Sequence, residues 1–64
     1  MIKEFVAKNS ADLGLCLKLL YSEHMDFSVE VRETEKLKVI YVVKIMADIE
    51  TCEDLEVRYR ILVS

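Results

Sequence analysis

The chain has no proline, no tryptophan, one glycine and one histidine. Each scarcity removes a class of function. With Gly14 alone, no glycine-rich loop can cradle a phosphate and no dinucleotide fingerprint can form. With His24 alone, imidazole chemistry has one sequence-near thiol, Cys16. Eight residues of helix separate them by roughly 12 Å, too far for a nucleophile–base dyad. Cys16, Cys52 and His24 supply three scattered ligands with no close pair, so no metal is expected. The low glycine and proline content, with 53% apolar and 33% charged residues, excludes disorder, low complexity and a collagenous chain. No apolar run approaches the roughly 18 residues of a membrane span, the longest being Val39 to Val43. These absences point away from an enzyme and from any cofactor.

Charge narrows the partners. Nine Lys and Arg against twelve Asp and Glu give a net charge of −3, the wrong sign for generic affinity to nucleic acid or anionic membranes. Lys3 and Glu4 interrupt the apolar start of the chain, which is too short for a signal peptide, so a cytoplasmic location is expected. In that compartment Cys16 and Cys52 are expected to be reduced, packed as small hydrophobes. The 64 residues make one domain, 1–64, with no linker or repeat. A chain this short hides only about 60% of its unfolded surface, which favours self-association.

Periodicity orders the elements. Residues 2–7 read as a first strand of unclear facing. Asn9 and Ser10 offer N-cap oxygens for a helix over about 11–24, with Leu13, Cys16, Leu17, Leu20, Tyr21 and His24 as its core stripe. Leu15 and Leu19 fall on the opposite side of that helix. Residues 26–33 alternate cleanly, with Phe27, Val29 and Val31 facing inward, as a half-buried antiparallel strand does. A polar loop over 33–36 leads to a strand over 37–47, whose second face carries Ile40, Val42 and Met46. Residues 55–63 carry two signals. Thr51 to Asp54 resembles a capping box, yet Leu55, Val57, Tyr59, Ile61 and Val63 alternate strictly in a β-branched, aromatic-rich run, which favours a strand. The expected fold is α+β, β-α-β-β-β, with one helix on an antiparallel sheet. The alternative, β-α-β-β-α, resembles a truncated ferredoxin-like or ACT-type topology in element order.

Three surfaces compete for function. Asp48, Glu50, Glu53, Asp54 and Glu56 form an acidic segment without one base among them. Its spacing lacks the glycine turn of a calcium loop. It suits a basic site on another protein, where it would imitate phosphate charge. Leu15, Leu19, Ile40, Val42 and Met46 are apolar positions for a homodimer or partner contact. Arg32, Lys38, Lys44, Arg58 and Arg60 would share the outer sheet face if 55–63 is a strand. Tyr41 and Tyr59 would then point inward, so that face lacks stacking aromatics and direct nucleic-acid binding is disfavoured. The expectation is a small acidic protein-binding module, an inhibitor or adaptor. In being short, acidic and motif-free it resembles small phage-encoded inhibitors, anti-CRISPR proteins among them. The alternatives are a homodimeric ACT-like module that binds a small ligand and a nucleic-acid binder working through the basic face.

Overall fold

The computed structural model describes all 64 residues as β1 (Ile2–Ala7), α1 (Ser10–Ser22), β2 (Phe27–Glu33), β3 (Val39–Met46) and α2 (Ile49–Val63). The architecture is α+β in the order β-α-β-β-α. β3 lies between β1 and β2 and runs antiparallel to both, so β1 and β2 are parallel to each other with β3 inserted between them. Both helices lie on the face that carries Phe5, Val43 and Ile45, and Cys16, Leu19, Leu20, Cys52, Leu55 and Tyr59 complete that core.

Residues 55–63 are helical, not a fourth strand. The alternating pattern and the helical one share Leu55 and Tyr59, both buried, and differ over the residues between them. Cys52, Leu55 and Tyr59 recur at three- and four-residue spacing on the core side, which leaves Val57 and Ile61 in solvent. The start signal sits earlier than the Thr51 to Asp54 reading. Asp48 is the N-cap, and its carboxylate accepts the Thr51 N–H at 3.1 Å.

α1 is capped by Asn9, whose side chain accepts the Asp12 N–H at 2.8 Å. It ends at Ser22, before the expected His24. His24 takes a left-handed φ of 55°. Its N–H donates to the Tyr21 carbonyl, and the Met25 N–H donates to the Leu20 carbonyl at 3.0 Å. This is a Schellman ending, and Met25 packs back on the core as the motif's hydrophobic contact. Tyr21, expected in the core stripe, is 80% exposed, while Leu19, expected on the opposite side, is buried. α2 packs against α1 and rotates the buried stripe toward Leu19.

The β2–β3 hairpin turns over Thr34 to Leu37, where the Leu37 N–H donates to the Thr34 carbonyl at 3.0 Å. Leu37 was expected to open β3 but closes the turn at φ 58°, the left-handed position of a three-residue hairpin loop.

Candidate functional site

The five acidic residues of the 48–56 segment divide by what each touches. Asp48 is consumed by the helix start, and the Thr51 hydrogen bonds hold its carboxyl below the usual aspartate range. Glu56 lies 3.1 Å from the Lys3 ammonium and 3.2 Å from the Arg60 guanidinium. Lys3 is the larger cause of its lowered pKa. Asp54 lies 3.6 Å from Arg58, which is also bound to Glu23 on the α1 terminus. Glu50 and Glu53 have no cation within ion-pair distance and project into solvent.

A helix advances 100° per residue, so Glu50, Glu53, Asp54, Val57 and Ile61 fall within one sector of α2, opposite Cys52 and Tyr59. Val57 is 54% and Ile61 68% exposed. The outward face of α2 is therefore acidic over its first turns and apolar over its last. Beside it, Leu15, Leu19 and Leu62 line a groove of about 540 Å³ between the helices, rimmed by Lys18 and Arg58.

The sheet's outer face carries a different charge pattern from the one expected. Arg58 and Arg60 sit on α2, leaving Arg32 and Lys44 on the strands beside Glu4 and Glu30. Arg32 lies 2.8 Å from Glu30 and 3.8 Å from Glu4, and Lys44 lies 3.5 Å from Glu30 and 3.6 Å from Glu4. Two cations and two anions close on each other. The Arg32 hydrogen bond is the largest cause of the lowered Glu30 pKa. A face neutralised in this way offers little to a phosphate backbone. Val42 lies on this face and is buried although no helix covers it, walled in by its strand neighbours. Among the expected apolar contacts, Leu19 and Val42 are thus spent inside the fold. Leu15 and Ile40 are half-buried, and Met46 is exposed.

One surface was not anticipated. Phe27, Val29 and Val31 of β2 point to the helix side of the sheet, as their alternation implied, yet they are 39%, 43% and 63% exposed. α1 packs over β1 and β3, and α2 packs against α1, so neither helix packs closely on β2. Alternation reports which side of a strand faces inward; it carries no information on whether anything lies above it. The feature that could have signalled the gap is the count of elements, since two short helices leave part of a three-stranded sheet uncovered.

Comparison with protein-family models, with curated proteins and with solved structures finds no match to this chain.

Proposed function

We propose that the chain is a non-enzymatic protein-binding module, an inhibitor or adaptor, that lays the outward face of α2 onto a basic-rimmed apolar groove of another protein. The observation that carries this reading is the shared helical sector of Glu50, Glu53, Asp54, Val57 and Ile61. Amphipathic helices dock by seating apolar anchors at spacings of three, four and seven residues, and Val57 and Ile61 have that spacing. The three carboxylates would meet the basic rim, steer the encounter and fix the direction of the helix. They could compete there with the phosphates of a nucleic acid, which also seek cationic sites.

The test begins with a partner captured from host lysate and continues with two variants. The triple amide Glu50→Gln, Glu53→Gln, Asp54→Asn should weaken binding at least tenfold, about 1.4 kcal/mol, through a slower association rate and a shallower salt dependence. Ile61→Ser should act instead on the dissociation rate, as loss of a buried anchor does. Folding stability should move by no more than about 0.5 kcal/mol for the amides, because Glu50 and Glu53 are unpaired and the Asp54–Arg58 pair is exposed. Unchanged affinity and salt slope in the triple amide would reduce the segment to a solubilising rim and sink the proposal.

A further inference from the structure

We infer that a second copy of this chain pairs along β2, joining two three-stranded sheets into one six-stranded antiparallel sheet. The inference concerns a different surface from the α2 face and does not depend on it.

The two edges of the sheet are unequal. On the β1 side, the Ala47 N–H donates to the Met1 carbonyl, so odd-numbered β1 residues bond to β3 and Ile2, Glu4 and Val6 turn their backbone groups outward. α2 reaches that edge at one carbonyl. The Tyr59 hydroxyl donates to the outward Val6 carbonyl at 3.2 Å, and Glu56 pairs with Lys3 beside it. On the β2 side, the Thr34 N–H donates to the Lys38 carbonyl at 2.8 Å. By alternation, Ser28, Glu30 and Arg32 bond to β3, while Phe27, Val29 and Val31 present free N–H and C=O groups at the edge. These are the same three residues whose apolar side chains lie uncovered. No proline or bulge blunts this edge, and its one charge on the helix side, Glu33, stands at the very end of the strand.

The sequence of β2 names its occupant, because it is complementary to itself under a two-fold axis through Val29. In that register Val29 meets Val29, Phe27 meets Val31, Ser28 meets Glu30, and Asp26, the residue just before the strand, meets Arg32. The odd pairs exchange the free backbone hydrogen bonds. The even pairs of the strand stand on the outer face, and Asp26, which has no ion pair of its own, gains a share in Arg32, already paired with Glu30 and Glu4. Met25 then faces Glu33, the one indifferent pair. Shifting the axis to Ser28 sets Asp26 against Glu30 twice. Shifting it to Glu30 sets that carboxylate against itself, and shifting it to Val31 sets Val29 against Glu33. Of these four registers, charge and pattern select the one through Val29.

Light scattering on the whole chain, from micromolar to near-millimolar concentration, should give twice the 7.5 kDa chain mass. Asp26→Arg places Arg against Arg32, and Arg32→Asp places Asp against Asp26, so each single variant should weaken the dimer at least tenfold. An equimolar mixture of the two variants restores both opposite-charge pairs and should recover the dimer. Circular dichroism of each variant reports its folding separately, and Val29→Pro, which removes one outward N–H that β3 does not use, gives an independent disruption. A monomer at every concentration, a dimer indifferent to these variants, or folded single variants that fail to associate when mixed would each overturn the inference.

Discussion

Leu37 and His24 are the two non-glycine residues held at positive φ, 58° and 55°. A left-handed backbone costs an ordinary L-residue roughly 1–2 kcal/mol, and glycine almost nothing. Leu37 is 80% exposed and His24 is exposed, so little packing opposes replacement. Leu37→Gly and His24→Gly should each raise the unfolding free energy by about 0.5–1 kcal/mol, read as a higher urea midpoint. Cys16 makes a second, pH-dependent argument. Burial pushes its thiol from 9.0 up to about 11. Below pH 9 both states hold the proton and its contribution to stability is intact. Between pH 9 and about 11 the unfolded chain loses the proton first, so stability falls as pH rises, by on the order of 2 kcal/mol. Tyr59, raised by burial and then by its neighbour Cys16, acts in the same direction at higher pH. Urea unfolding from neutral pH to about pH 11 should show this decline, and Cys16→Ala should flatten its lower part. Equal slopes in both proteins would place the decline elsewhere.

At the scale of elements, α1 and β2 were legible from one dominant period each, β1 and β3 as short apolar runs, and α2 only as the second of two readings. Its residues satisfy a two-residue and a 3.6-residue repeat at once, since Leu55 and Tyr59 lie four apart. What decides is the capping by Asp48 and the helix face that already includes Cys52. Burial of Tyr59 against Phe5, with ring centroids 5.7 Å apart and the planes at 75°, adds an edge-to-face contact. That placement brings its hydroxyl to the Val6 carbonyl. Tyr59→Phe keeps the ring contact and removes only the hydroxyl, so it should cost about 1 kcal/mol in urea or thermal unfolding. Amide exchange should report the change at the β1 edge and leave β2 as it was. A uniform loss of protection across the sheet would mean that Tyr59 serves the core alone.

At the scale of the whole molecule, the candidate surfaces were legible unevenly. The acidic segment was visible as a composition shift, but its division into a helix cap, ion-paired carboxylates and solvated ones depends on the turn of α2 and on Lys3 and Arg58 arriving from elsewhere in the chain. The basic sheet face dissolved for the same reason, once Arg58 and Arg60 moved to a helix. The uncovered row on β2 belongs to no local pattern; it arises from where two helices stop. Only eleven of 64 side chains are buried, so this chain leaves many of its apolar residues available to neighbours. The inequality of the two sheet edges then governs how far such association can run. A sheet open on both sides can add copies without end, as a growing fibre does, whereas a sheet open on one side is complete after a single addition. With the phenol of Tyr59 on one outward carbonyl of β1, that border is the less open of the two, and growth through it is hindered while β2 stays free.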